Sequence, residues 1–377
     1  MFPRKLGAKP AKMKNSNRKL RIAFAGGGSG GHLYPQVAVA GEIKKLAPST
    51  EIFFVSAKGS IEEKLVPKAD YELVLIPSGK LKGQGLASTF RTLGSLFLSV
   101  FVCAGILLRR RPDLIFSAGG YAGAPFLVLG SLFGVRCEIL EQNRMPGLAN
   151  RWMAKFCKRI YVNFAASAEK FPGKDTRAVG HPCRPEIEKA KWGISEESLF
   201  EKNPFKVFVF GGSQGAMGIN RLMAAAAPFW KGLDLEILHQ TGEADFERTK
   251  KEYAEAGFTK VRVEKFIFEM AESFRASHLV ICRAGAGSLA ELAAAGKAAI
   301  LIPLVSKDKH QEFNATEIEK LGAALSFLQG KLTGESLAAA VKELYIDRSA
   351  VKALSHKMAE LHKPDAASQI ARGILEG

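Results

Sequence analysis

Leu20-Arg21-Ile22-Ala23-Phe24-Ala25-Gly26-Gly27-Gly28-Ser29-Gly30-Gly31-His32 decides how this chain is read. A short apolar run passes without a break into a glycine-rich turn that ends on a histidine. An apolar run of this length bounded by glycines reads as a buried strand. The glycines let the next stretch of backbone take positive φ and let an anion approach its amides. Tyr34-Pro35 follows, so a helix is expected to begin near there, with proline in a first turn that needs no backbone donor. The N-terminus of such a helix adds a partial positive charge that suits a phosphate. Gly26, Gly28 and Gly31 also spell the GxGxxG of dinucleotide-binding folds, a weak signal alone. A nicotinamide dehydrogenase needs an acid at the end of the second strand to hold the adenosine ribose. That place reads Val55-Ser56-Ala57-Lys58-Gly59, which disfavours a dehydrogenase.

Outward from this segment, short apolar runs alternate with helix-like stretches. Strands are expected at 20–25, 52–55, 73–76, 114–117, 138–140 and 159–162. A second series falls at 206–210, 236–240, 261–264, 279–282, 298–302 and 324–327. Strands alternating with helices imply parallel sheets covered on both faces. Two series suggest two doubly wound α/β domains, in keeping with 377 residues at roughly 100–200 per domain. Gly180-His181-Pro182-Cys183-Arg184-Pro185, with two prolines and a glycine, marks the break between them.

With 47% hydrophobic and 24% charged residues, the composition excludes a disordered or collagen-like chain. The formal net charge is +17, and eight of the positive charges lie in the first 21 residues, which hold no acid. Residues 1–18 read as a disordered basic tail, either a solvated one or an arm attracted to a membrane. An excess of this kind suits nucleic acid, an anionic membrane surface or a phosphorylated substrate. No helix-turn-helix, zinc or RNA-binding aromatic motif supports nucleic acid. Five cysteines without a CxxC pair argue against a disulfide framework and a zinc site. Residues 92–108 are uncharged and end on Arg109, Arg110 and Arg111. This stretch is too short and too diluted by glycine and serine to span a bilayer, so it is a buried helix or one that dips into a membrane interface.

The glycine device returns in the second series as Phe210-Gly211-Gly212-Ser213-Gln214-Gly215-Ala216. Two such loops facing each other across a cleft suit a diphosphate ligand. A third segment, Cys282-Arg283-Ala284-Gly285-Ala286-Gly287-Ser288-Leu289-Ala290-Glu291, again feeds a helix N-terminus. Glu291 is then either an acid favoured by the helix dipole or a carboxylate accepting two ribose hydroxyls.

These motifs, together with Gly119-Gly120-Tyr121, Glu141-Gln142-Asn143, His181-Pro182-Cys183-Arg184, Lys307-Asp308 and Gln311 with Asn314, occur in one order that resembles the bacterial MurG family over about residues 19–370. The resemblance implies a GT-B fold of two Rossmann-like domains facing across a cleft, and an inverting transfer of N-acetylglucosamine from UDP-N-acetylglucosamine to lipid I, forming lipid II. It implies neither cofactor nor metal, and the chain contains no Asp-x-Asp pair. It places the protein peripherally on the cytoplasmic face of the inner membrane. The chain then divides into a tail at 1–18, an acceptor and membrane-facing domain at 19–182, a donor domain at 183–355, and a C-terminal helix within 356–377 expected to pack back on the first domain.

By the same resemblance, Ser29, Gly30, Gly31 and Asn143 meet the donor from the N-terminal side. Arg184, Ser213, Ile267, Ala286, Gly287, Ser288, Leu289, Ala290, Glu291 and Gln311 meet it from the other, with Ile267 on uracil, Glu291 on ribose and Gln311 on the sugar hydroxyls. His32 titrates near working pH and is the candidate general base; binding the diphosphate or ordering the loop are its competing roles. Tyr121 belongs to the acceptor cleft or is a packing plug. Glu141 positions the acceptor or is structural, since no partner that would shift its pKa is evident in sequence. His310 and His181 stand where the family often has glutamine and asparagine, and Gly287-Ser288 replaces a bulkier pair. A GT-B transferase for another lipid acceptor, such as diacylglycerol, and a non-catalytic nucleotide-sugar-binding membrane scaffold are the alternatives. A scaffold has no need of His32, Glu291 and the glycine loops.

Overall fold

The computed structural model describes residues 19–27, 30–77, 86–120, 123–188, 190, 203–212 and 214–377, with the backbone alone for 86–97. Strands β1 (Arg21–Ala25), β2 (Glu51–Ala57), β3 (Glu72–Ile76), β4 (Leu114–Ser117), β5 (Arg136–Glu141), β6 (Arg159–Val162) and β7 (Asp175–Ala178) form one parallel sheet in the order β3-β2-β1-β4-β5-β6-β7. Strands β8 (Phe205–Phe210), β9 (Leu235–Gln240), β10 (Val261–Glu264), β11 (Leu279–Cys282), β12 (Ala298–Leu301) and β13 (Leu325–Ser326) form a second, in the order β10-β9-β8-β11-β12-β13. Twelve of these strands stand where the apolar runs place them. Strand β7 was not expected, because Asp175-Thr176-Arg177-Ala178 is a polar edge strand with no buried residue and carries no apolar signal.

In both sheets the strand order reverses beside the first strand, between β1 and β4 and between β8 and β11. Ligands bind open α/β sheets at such switch points, outside the carboxyl ends of the strands. The glycine turns sit there: 26–27 after β1, 119–120 after β4, 211–212 after β8 and 284–285 after β11.

The turns after β1 and β4 touch backbone to backbone. Gly27 N–H donates to Gly119 O at 3.3 Å, and a Cβ at Gly120 would collide with Gly27 O. Gly27 and Gly120 also have φ of +125° and +92°, so a side chain is excluded by both conformation and space. Helix α1 (Gly30–Leu46) starts earlier than expected, at Gly30, which leaves Pro35 inside it and not in its first turn. The glycine run itself enters the helix. The proline then forfeits one helical hydrogen bond, a turn from the end that opens on the cleft.

Each sheet is covered on both faces. Over the first, Ile22, Phe24, Leu33, Ile43, Phe54, Phe116 and Tyr161 form one core with Ile370 and Ile374 of the last helix, Ala366–Glu376. That helix therefore crosses back to the first sheet, where Arg159 Nη1 donates to Gly373 O at 2.6 Å. The helix Leu86–Arg110 sends Ser99, Cys103 and Leu107 inward at helical spacing and leaves Leu98, Phe101 and Leu108 exposed. It is thus neither wholly buried nor apolar to solvent all round. Among the described residues no helix is long and apolar enough to cross a membrane. The basic tail at 1–18 lies outside the described residues.

Contact between the two glycine turns makes a measurable difference between glycines. Gly134 also has positive φ, +78°, but nothing lies within 4 Å of a Cβ added there. Gly134→Ala is expected to cost about 1–2 kcal/mol for the left-handed backbone alone. Gly120→Ala should cost about 1–3 kcal/mol more through overpacking. Urea unfolding of both variants checks this; equal losses would show that the turns do not depend on their close approach.

Candidate active site

The carboxyl ends of both sheets open onto one cleft of about 2350 Å³. Pockets for single small ligands run to roughly 300–1,000 Å³. The cleft has room for two substrates.

On the side of the second sheet, the helix Ala286–Ala295 begins at Gly285 with no side chain capping it. Gly285, Ala286, Gly287 and Ser288 line the cleft, so the first turn of this helix presents its amides and dipole there. Leu289 turns into the core and Ala290 stands off the cleft lining. Glu291 lies in the second turn, too far along to cap the helix, and is held instead by a bidentate ion pair. Arg184 Nε and Nη2 donate to its two carboxylate oxygens at 2.6 and 2.8 Å. Glu291 is buried and Arg184 half-buried. Such forked pairs combine energy with fixed geometry. Each carboxylate oxygen keeps a second lone pair for a hydroxyl donor.

Ile267 is buried at the cleft wall with its N–H donated to Gln240 Oε1 at 2.8 Å. Gln240 Nε2 in turn holds Gly212 O at 3.0 Å, joining the base-side wall to the glycine turn after β8. Gln311 Oε1 accepts from Leu304 N–H at 2.9 Å, which fixes the amide with its nitrogen as the remaining donor group. Ser29, Tyr121 and Ser213 lie outside the described residues.

On the side of the first sheet, Gly30 and Gly31 open α1 and line the cleft with His32. His32 has its pKa lowered, chiefly by burial; nearby Glu62 acts to raise it and His310 to lower it. Its ring edge lies against Gly119. Glu141, at the end of β5, is 1% exposed. Its carboxylate accepts from Asn143 N and Gly147 N at 2.8 and 3.2 Å, and from Asn143 Nδ2 and Asn150 Nδ2 at 3.3 and 2.8 Å. Burial pushes its pKa up and these bonds pull it down, leaving it at about 7. The partners not evident in the sequence are thus supplied by the loop that follows β5 as it folds back, and they hold Glu141 as the organiser of the 141–147 loop.

Asn143 is committed on both sides: its amide nitrogen faces Glu141, and its Oδ1 accepts from Asn314 Nδ2 at 3.1 Å. Asn314, on the helix His310–Lys320, is fully buried and also receives Arg144 N–H at 2.8 Å and donates to Ala284 O at 3.1 Å. An Arg144–Glu317 ion pair at 3.0 Å reinforces this crossing between the two halves. His310, on the same helix, has its ring beside Gly147 and 3.5 Å from an Asp308 oxygen. His181 is buried in the segment joining the sheets, its ring nitrogens 3.0 Å from Pro182 O and Gln142 Oε1, and burial takes its pKa down to about 4. Glu62, Asn150 and Gln240 were missed in the sequence. Each is an isolated polar residue whose neighbours come from other strands and turns, so no local pattern marks it.

Because Glu291 serves Arg184 as well as any ligand, its loss should register twice. Hydrogen bonds to charged groups are each worth roughly 1.5–3 kcal/mol. Glu291→Ala is expected to weaken UDP binding by about that much and to lower unfolding stability, whereas Arg184→Met should spare more of the UDP affinity. Calorimetry with UDP on the folded variants decides it; unchanged affinity in Glu291→Ala would remove Glu291 from the nucleotide site.

Comparison with known proteins places this cleft in a family. Residues 22–162 match the glycosyltransferase family 28 N-terminal domain, and residues 206–370 match the family's C-terminal domain. Proteins of Citrifermentans bemidjiense and Myxococcus xanthus are 36% and 37% identical over 359 and 355 residues, covering 94% and 93% of this chain and 99% and 91% of their own. Both are named UDP-N-acetylglucosamine–N-acetylmuramyl-(pentapeptide) pyrophosphoryl-undecaprenol N-acetylglucosamine transferase. Among solved structures, Acinetobacter baumannii MurG superposes with a TM-score of 0.80 at 26% identity, over 96% of this chain and 100% of its own. A calicheamicin glycosyltransferase, at 15% identity and a TM-score of 0.65 over 95% of this chain and 98% of its own, shares the fold alone. The chain belongs to glycosyltransferase family 28 and, within it, to the MurG family.

Proposed function

We propose that this chain transfers N-acetylglucosamine from UDP-N-acetylglucosamine to the C4 hydroxyl of the muramoyl sugar of lipid I, with inversion, to give lipid II. The observation that carries this reading is the pairing across one cleft of His32 with the Arg184–Glu291 pair and the uncapped helix at Ala286.

In this mechanism the donor lies against the second sheet. Ile267 meets uracil, the remaining lone pairs of Glu291 accept the ribose hydroxyls, and the Gln311 amide donates to the sugar. Leaving charge on the diphosphate is met by amides at the starts of α1 and of the helix Ala286–Ala295, which are already oriented before reaction. His32 removes the proton from the acceptor hydroxyl as its oxygen bonds to the anomeric carbon. The bond from that carbon to the diphosphate breaks, and UDP departs with the electron pair. Glu141 holds the acceptor-side loop.

Burial sets the sign of the pH dependence. A lowered pKa keeps His32 neutral, and so able to take a proton, at pH 7 and somewhat below the ordinary value of 6.5. Activity is therefore expected to fall only as pH drops through that depressed value, with an acid limb below 6.5. Loss of general-base help costs about 10²–10⁴ in rate. His32→Ala should lower kcat by that order, with UDP affinity little changed and the acid limb abolished. A variant with near-normal kcat and weakened UDP binding would make His32 a diphosphate ligand.

A polyprenyl-linked acceptor stays in its bilayer, since each methylene withdrawn costs about 0.8 kcal/mol. The first domain offers a surface to meet it. Leu98, Phe101 and Leu108 are exposed on one helix, and Leu132 and Phe133 at the end of the neighbouring one. Arg109, Arg110 and Arg111 lie exposed beside them, Arg110 in an ion pair with Glu72. Each cation near an anionic surface contributes about 1 kcal/mol. The protein should co-sediment with anionic vesicles more than neutral ones, less so in high salt, and less so after Arg109→Ser with Arg111→Ser. Equal sedimentation with both vesicle types, unmoved by salt, would reject an electrostatic dock on the cytoplasmic membrane face.

A further inference from the structure

Asn150 is the first-domain residue whose chemistry the reading above leaves unused. It lies on the short helix Leu148–Met153, is 5% exposed, and reaches the cleft lining. Its amide nitrogen is fully committed, donating to Leu140 O at 3.1 Å and to Glu141 Oε2 at 2.8 Å. Both partners are acceptors only, so the amide cannot be turned over, and Oδ1 must point the other way. That oxygen is buried and has no hydrogen-bond partner among the described residues. A buried acceptor left unmade costs roughly 1–3 kcal/mol.

The direction in which it points is informative. A Cβ built on Gly119 would stand 3.3 Å from Asn150 Oδ1 and 3.4 Å from His32 Nε2. The two atoms thus border the same small hollow over Gly119, within reach of one bridging oxygen. We propose that Asn150 is the positioning residue of His32, its Oδ1 receiving the Nε2 hydrogen of the imidazolium formed when His32 takes the acceptor proton. This rests on the reading of His32 as the base. The acceptor proton is taken on Nδ1, so the hydrogen on Nε2 is left for the Asn150 oxygen that borders the same hollow; a proton taken on Nε2 would point back at the acceptor. Glu141 fixes Asn150, Asn150 fixes the ring, and the donor domain takes no part in the relay.

Other groups that act on His32 are Glu62, His310 and His181, from three other segments. They keep their places in an Asn150 variant, and Glu141, which loses one donor there, is followed by its own titration beside that of His32. Asn150→Ala, in the full chain, is expected to lower kcat about tenfold or more, with the KM for UDP-N-acetylglucosamine and the affinity for UDP within threefold of the parent. The His32 ring, followed by NMR, should titrate at lower pH than in the parent, and the acid limb of kcat should move with it. Asn150→Ser, whose shorter side chain withdraws the oxygen from the hollow over Gly119 while its hydroxyl can still donate on the Glu141 side, gives the same pattern with less risk to folding. An unmoved His32 titration, or kcat and UDP affinity falling together with thermal stability, would overturn the proposal and leave Asn150 a structural brace for Glu141. A normal pH profile in which His32→Ala retains kcat would instead remove the reading of His32 on which the proposal rests.

Discussion

A carboxylate shut away from water, with four N–H donors turned on it, is the constraint around which this molecule is arranged. Glu141 closes β5, and its oxygens take four hydrogen bonds from the 143–150 segment. All four partners are donors and favour the ionised acid, whereas burial favours the neutral form, and the balance leaves its pKa at about 7. The loop fixed in this way then serves both halves. Asn143 and Arg144 bind Asn314 of the second half, and the Gly147 turn meets His310. The relative position of the two sheets thus rests on a loop that is itself set by one buried charge.

Around that loop the two sheets solve the same electrostatic problem in the same manner. Each reverses its strand order beside its first strand and places glycine turns at the opening. Glycine is required in the first sheet because the turns after β1 and β4 meet at their backbones, leaving no space for a Cβ. Such turns deliver chain to helix N-termini whose amides have no internal partner. Two halves of this kind, facing one another, gather fixed partial positive charge at the cleft, and the Arg184–Glu291 pair forms a rigid edge beside it.

Much of this was legible in the sequence, and the exceptions have physical causes. Apolar runs fixed twelve strands because buried parallel strands read as nearly continuous hydrophobic stretches. Strand β7 escaped because an edge strand with polar side chains carries no such signal. The start of α1 was misplaced because proline was read as a first-turn residue, whereas the glycine run already had helical geometry. Glycine turns and Glu291 were visible as local motifs. The Arg184 partner of Glu291 was not, since 107 residues separate the two, and neither were the donors on Glu141 and the oxygen of Asn150, since they depend on how the 142–150 loop folds back on the end of β5. The apolar stretch at 92–108 was divided between burial and membrane contact in the sequence, and the fold buries Cys103 and Leu107 and leaves Phe101 and Leu108 exposed.

The central claim concerns which two substrates meet in the cleft. Purified full chain, supplied with UDP-N-acetylglucosamine and a lipid I analogue, should release UDP and form the β-linked disaccharide product in equal amounts. Diacylglycerol offered in place of the lipid I analogue should yield neither. Transfer to diacylglycerol but not to the lipid I analogue, or UDP binding without any transfer, would contradict it.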